Sequence, residues 1–176
     1  MSKNRRLAFC GMLSAMYFAL SFLTIQTGAL KFTFTSLALI IAAFLFGLPD
    51  ACAVALIGEG LYQVLLYPLS ATTPLWLVPP VIHAAALWLF ARLLCGKIPP
   101  EQKIVLCFAS TLLASIFNSA SNTGALYIDS HVFHYYNPVT FLGDAGLRVL
   151  VGIATAAVVT TAAIPLLRIL RKKAEQ

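Results

Sequence analysis

Residues 104–127 read IVLCFASTLLASIFNSASNTGALY. The run is long and apolar enough to cross a bilayer, which takes about 20 predominantly apolar residues in a helix. Its second half nevertheless carries Asn118 and Asn122 among Ser115, Ser119 and Thr123. Four residues apart, the two amides stand one above the other on one helix face. In hydrocarbon they are costly unless partnered. This face is therefore either the wall of a polar pocket inside a helix bundle or a seam that joins helices through amides and small side chains. The other helices decide between the two.

The rest of the chain has the same character. Of its 176 residues, 60% are hydrophobic and 10% charged, and the mean hydropathy is +0.89. A soluble domain carries about 25% charged residues. The composition predicts an all-α integral membrane protein with one domain, residues 1–176. Residues 7–25 are too long for the apolar core of a cleaved signal and are not followed by a convincing cleavage motif. Cys10, Cys52, Cys95 and Cys107 fall in or at the ends of apolar runs, with no Cys-x-x-Cys among them. That fits small buried side chains better than metal or redox chemistry. The net charge of +6 does not point to nucleic acid, because the cations sit in short flanks between the spans, as orientation signals do.

Six helical spans are expected, at about residues 7–25, 36–48, 49–66, 75–94, 104–127 and 138–169. Lys3, Arg5, Arg6, Arg92, Lys97, Lys103, Arg168, Arg171, Lys172 and Lys173 then fall on one side of the membrane. Only Lys31 falls on the other, and Arg148 lies within a span. By the positive-inside rule both termini are cytoplasmic. Gly11, Ala15 and Ala19 repeat every four residues along the first helix, a stripe that lets another helix approach closely, within the bundle or from outside. The loop at residues 26–35 contains Lys31, either a solvated lysine or one that reaches a ligand. The second helix is short, so part of this loop is expected at membrane depth, where it must be covered or line a cavity.

The same topology sets depths. Gln63, His83, Asn118, Asn122, Asp144 and Arg148 come from four helices, yet all map to the outer half of the membrane. Structural polar residues have no reason to share a depth, whereas a solute site open to the outside gives them one. Asp144 and Arg148 are four apart and can pair; Arg148 also offers a planar fork for a ligand. Trp76 reads as an interfacial anchor or a lid. Glu59 lies about ten residues into its helix, roughly 15 Å, and is either a functional carboxyl or a structural one packed between Gly58 and Gly60. The segment after residue 127, IDSHVFHYYNP, is expected to be an outer loop. Its Asp129, His131 and His134 are too loosely spaced for a metal site, and its tyrosines suit an interfacial belt. No His-Glu-x-x-His, Gly-x-Ser-x-Gly or phosphate-binding Gly-rich motif occurs, so no catalytic residues, metal or cofactor are assigned.

Three segments carry a family likeness: LAFCGMLSAMYFALSFL after the basic N-terminus, KFTFTSLALIIAAFLFGLPDACAVALIGEGLY, and SNTGALY. Together the chain resembles a substrate-binding (S) component of an energy-coupling factor (ECF) transporter, most similar to the folate-type branch. After Pro138 it departs from that pattern, with FLGDAGLRVLVG in place of a Pro-Arg-Leu-like run. The resemblance implies high-affinity capture of a vitamin or related micronutrient. It implies docking on a membrane coupling subunit that carries two cytoplasmic ATPases, and toppling in the bilayer to release the solute inside. ATP is then bound by the partners only. On this reading residues 26–35 gate the site, Asn122 and Tyr127 belong to it, and Gly11, Ala15 and Ala19 face the coupling subunit. Folate, pterin-like, purine-like and pantothenate-type solutes all remain open. An intramembrane enzyme using Glu59 or His83, and a solitary secondary carrier, are the alternatives.

Overall fold

The structure is a computed structural model that describes residues 3–23, 25–27, 30–96 and 98–175; for residues 25–27, 30, 31, 101, 140 and 173–175 it describes the backbone alone. Six α-helices follow one another: α1 (Lys3–Phe22), α2 (Ser36–Leu45), α3 (Leu48–Leu66), α4 (Val78–Cys95), α5 (Ile104–Val132) and α6 (Pro138–Glu175). Short 3₁₀ helices at Thr73–Leu77 and Pro100–Gln102 precede α4 and α5. The fold is all-α as expected, with one small addition between α1 and α2. Two short strands, β1 (Ile25–Thr27) and β2 (Leu30–Phe32), pair antiparallel, with Gln26 facing Lys31.

α2 lies at the centre. Every residue from Ala38 to Phe44 is buried, and the helix packs against α1, α3, α4 and α6. Its sequence SLALIIAAFL is apolar on all sides, as a helix surrounded by others must be. Ten residues give a rod of roughly 15 Å, about half of a 30 Å hydrocarbon core. At its C-terminal end the unsatisfied carbonyls meet two cations. Arg6 Nη2 donates to Phe46 O at 3.1 Å, and Arg171 Nη2 donates to Phe44 O at 3.1 Å. Such donors satisfy the last turn and complement its negative end. Arg6 also pairs with Asp50 in the first turn of α3, its Nε donating at 2.8 Å. That hydrogen bond, reinforced by the carboxylate's charge, raises the Arg6 pKa further above its ordinary value.

α1 and α3 touch through Gly58, where an added Cβ would come within 2.5 Å of the Tyr17 ring. Only a residue without a side chain admits this approach. α5 and α6 run antiparallel as neighbours. Thr160 Oγ1 donates to Thr111 Oγ1 at 2.7 Å, and closer to the α5–α6 connection an added Cβ on Gly152 would lie 2.6 Å from Ser119 Oγ.

Four segments are long and apolar enough to cross a membrane: Leu48–Leu66, Thr73–Cys95, Ile104–Val132 and Phe141–Lys172. Of the six spans expected, neither α1 nor the ten-residue α2 is among them. Leu65, Leu93, Val105, Phe117, Leu150 and Ile169 are all more than half exposed on these helices, an arrangement that water disfavours and lipid accepts. These are the marks of a membrane protein.

Several boundaries differ from expectation: α1 and α2 each end three residues early, at Phe22 and Leu45, and α6 runs six residues past 169 to Glu175. α1 begins within the basic flank, because Arg6 is held against Asp50. α5 continues five residues past Tyr127, through the segment expected to be loop, because no helix breaker appears before Asn137-Pro138.

Gly58→Ala is expected to destabilise the protein by about 1–3 kcal/mol through overpacking against Tyr17. Gly60→Ala, which meets nothing within 4 Å, should leave the midpoint unchanged or raise it. Thermal unfolding of the detergent-solubilised variants compares the two.

Candidate functional site: a polar cavity at the hairpin end of the bundle

The shortness of α2 leaves the bundle unfilled beyond its first turn. There the structure encloses a cavity of about 720 Å³, within the usual range of small-molecule sites. Thr35, Ser36 and Leu39, at the start of α2, line one side. Thr33 after the hairpin, Trp76 in the 3₁₀ turn and Phe133 after α5 lie toward the loops. All six helices contribute to the wall.

On α3, Glu59 lines the cavity between α1 and its own next turn. Tyr17 Oη donates to Glu59 Oε2 at 2.9 Å, and Gln63 Nε2 donates to Oε1 at 2.7 Å. Glu59 is thus hydrogen-bonded within the bundle and also faces the cavity. Tyr62 and Tyr67 add a ring pair, with centroids 5.6 Å apart. On α4, His83 is buried at 7% exposure and lines the cavity. It lies three residues after Pro80, at the start of the helix.

On α5, Asn118 and Asn122 both face the cavity. Asn122 Nδ2 donates to Asn118 O at 3.0 Å and to Asn118 Oδ1 at 3.1 Å. One amide thereby orients the other. Asn118 Nδ2 and Asn122 Oδ1 are left as an open donor and acceptor. On α6, Arg148 lines the cavity with its side chain 19% exposed. One turn outward from the Ser119–Gly152 contact, Asn122 and Thr123 stand level with it. Arg148 Nη2 lies 3.7 Å from Asp144 Oδ2, an ion pair too long for a hydrogen bond.

The predicted residues therefore divide. Gln63, Trp76, His83, Asn118, Asn122 and Arg148 come together around one hollow. Two placements need correcting. Asp144 is not in the lining and instead stands behind Arg148 as its counter-ion. Tyr127 is also absent from the wall; it is 45% exposed and stacks with His131 and Phe141. It occupies the outward face of α5, opposite the amides. The Lys31 side chain lies outside the described residues, as does part of the gate expected at 26–35.

Sequence reasoning missed several lining residues. Tyr17 could not be found without knowing that α1 packs on α3 at Gly58. Asp129 was placed in a loop, although it continues the Asn118–Asn122 face of an uninterrupted helix. It is buried, lines the cavity and accepts a 2.5 Å hydrogen bond from Tyr135 Oη. Burial first, and then this bond and the charge of Asp129, push the Tyr135 phenol up to about 12. A phenol raised in the folded state contributes stability that is complete below its ordinary pKa of about 10 and is lost as pH rises through about 12. Beside it, His131 is stacked between Tyr127 and Tyr136, with centroids at 4.3 and 4.4 Å.

No family model and no curated protein matches the sequence. Solved structures do resemble it. An S component of a bacterial ECF transporter, described with its mechanism, superposes with a TM-score of 0.72 at 22% identity, over 99% of this chain and 100% of that one. ThiT from Listeria monocytogenes superposes with a TM-score of 0.72 at 15% identity, over 97% of each chain.

Tyr135→Phe is expected to lower stability by about 1–2 kcal/mol, the worth of a hydrogen bond to a charged group discounted for the partial exposure of Tyr135. Because the phenol titrates so high, the loss should be constant across the neutral range. Chemical unfolding at several pH values measures it. Across its whole length, the chain has the fold of an S component of an ECF transporter.

Proposed function

We propose that this protein is a substrate-capture subunit of an ECF-type importer for a vitamin or related micronutrient, with no catalytic activity of its own. The observation that carries the reading is the cavity of about 720 Å³, walled by polar side chains inside a bundle whose outer surface is apolar. Burying so many hydroxyls, amides and charges costs free energy unless something uses them. The likeness in fold to an S component of an ECF transporter supports the same reading.

In this reading the chain makes six spans in the cell membrane with both termini cytoplasmic, as the distribution of Lys and Arg requires. The cavity then opens outward beneath the hairpin, and residues 26–35 gate it. Gly11, Ala15 and Ala19 dock on a membrane coupling subunit. All three are exposed, and a Cβ on Gly11 meets nothing within 4 Å, so the stripe is not used by the bundle itself. Two cytoplasmic ATPases bound to that coupling subunit hold the ATP. The protein topples to release its cargo inside. A heterocyclic solute, folate-like among others, suits the two amides and the aromatic walls.

The experiment is to purify the full chain in detergent, identify by mass any small molecule it retains, and test liposomes containing the chain alone for uptake. High-affinity retention without turnover and without uptake is expected. Chemical conversion of the solute, abolished by Glu59→Gln, would instead establish an enzyme. Uptake without ATPases would establish a solitary carrier.

Asn122→Ala is expected to weaken solute binding about tenfold or more, since it removes an open acceptor and the group that orients Asn118. Unchanged affinity in a folded variant would misplace the site. Gly11→Leu and Ala15→Leu should leave solute binding intact and abolish co-purification with the coupling subunit. Retained assembly would refute the docking face.

A further inference from the structure

Open hydrogen-bonding valences show what a cavity lacks. Among the described residues, Arg148 Nη1 is the one buried side-chain polar atom with no hydrogen-bond partner. It belongs to a cation whose nearest acid, Asp144, is 3.7 Å away and outside the lining. A guanidinium N–H left unsatisfied in a low-dielectric interior is costly and calls for an acceptor. His83, 7% exposed and in the lining, has no hydrogen bond among the described residues. Asn118 Nδ2, on the same wall as Arg148, is a further open donor.

The cavity's acids are in the opposite condition. Glu59 already accepts from Tyr17 and Gln63, and Asp129 from Tyr135. The floor favours negative charge too. α2 begins there, with Thr35 as its N-cap; the N–H groups of Leu37 and Ala38 already donate to Phe34 O and Thr35 O, so the helix contributes its dipole rather than open donors. The positive end of the helix therefore faces the hollow, where an anion is stabilised.

We propose that the cavity takes an acidic solute, one whose carboxylate or phosphate oxygens lie against Arg148 Nη1 on the α5–α6 wall. The acid group fills the open guanidinium fork, which two parallel N–H···O bonds suit. N–H groups elsewhere on the solute meet the remaining lone pairs of Glu59 and Asp129. A wholly cationic solute leaves Arg148 Nη1 without an acceptor. This inference rests on the capture reading above and names the charge of its cargo.

The test uses the detergent-purified full chain, with quenching of tryptophan fluorescence as the readout, since Trp76 is in the wall. The probes are matched pairs: indole-3-acetate with its primary amide, nicotinate with nicotinamide, and pyridoxine with and without its phosphate. Mass analysis of any co-purifying solute accompanies the titrations. The acid member of a pair is expected to bind at least tenfold more tightly. Arg148→Gln should bring that preference to about one, and Arg148→Lys, which keeps the charge without the fork, should restore part of it. A preference that survives Arg148→Gln overturns the proposal, as does equal or tighter binding of the uncharged member. A co-purifying solute without an acid group overturns it while leaving the capture reading standing. If the only retained anion is a membrane phospholipid, the arginine holds a lipid headgroup and the proposal fails. If the folded chain retains neither a probe nor a co-purifying solute, the capture reading itself falls.

Discussion

The structure depends on a helix too short for its surroundings. α2 is enclosed by four other helices yet spans only about half the apolar thickness that its longer neighbours cover. A buried helix must have both ends satisfied without water. At one end Arg6 and Arg171 reach in from α1 and α6 to hold its last carbonyls, which fixes three helices together. At the other end no helix continues it. The bundle remains open there, and the cavity is the volume that a longer α2 would have filled.

Polar groups around that volume follow a consistent rule. Side chains that can be satisfied within the protein are: Tyr17 and Gln63 on Glu59, Tyr135 on Asp129, Asn122 on Asn118. Hydroxyls elsewhere in the helices bond back to the preceding turn, as Ser14, Thr123 and Thr155 do. Against this background the buried guanidinium N–H of Arg148, which has no partner among the described residues, stands out. The wall is also mechanically continuous with the outer surface of α1. Tyr17 reaches the cavity through Glu59, and its ring fills the space that Gly58 leaves, while Gly11, Ala15 and Ala19 occupy the exposed side of the same helix.

Much of the site was legible before any coordinates. Depth follows from span boundaries and the direction of each helix alone. It brought Gln63, His83, Asn118, Asn122 and Arg148 to one level, and the structure places them around one cavity. It failed for Asp144 because depth says nothing of azimuth, and Tyr127, assigned through the family likeness, is likewise absent from the wall. A residue can share the level of a pocket and still point behind it or away from the bundle. The α5 boundary was misjudged for a related reason. A cluster of polar residues after Tyr127 reads as a loop, but hydrogen bonds from Ser130 and His131 back to Tyr127 O, and from Tyr135 to Asp129, keep the segment helical and folded inward.

By itself the sequence determined that the chain enters a membrane, how many helices it makes, where its cations cluster, and at what level along the helices its amides and ions lie. Those properties are one-dimensional: they follow from the run of apolar residues and the distribution of charge along the chain. Only the tertiary structure decided that α2 is central, that α1 meets α3 at Gly58, and which polar atoms remain open in the hollow between them. Such facts depend on rotation of each helix about its own axis, which is set by close packing between residues far apart in sequence.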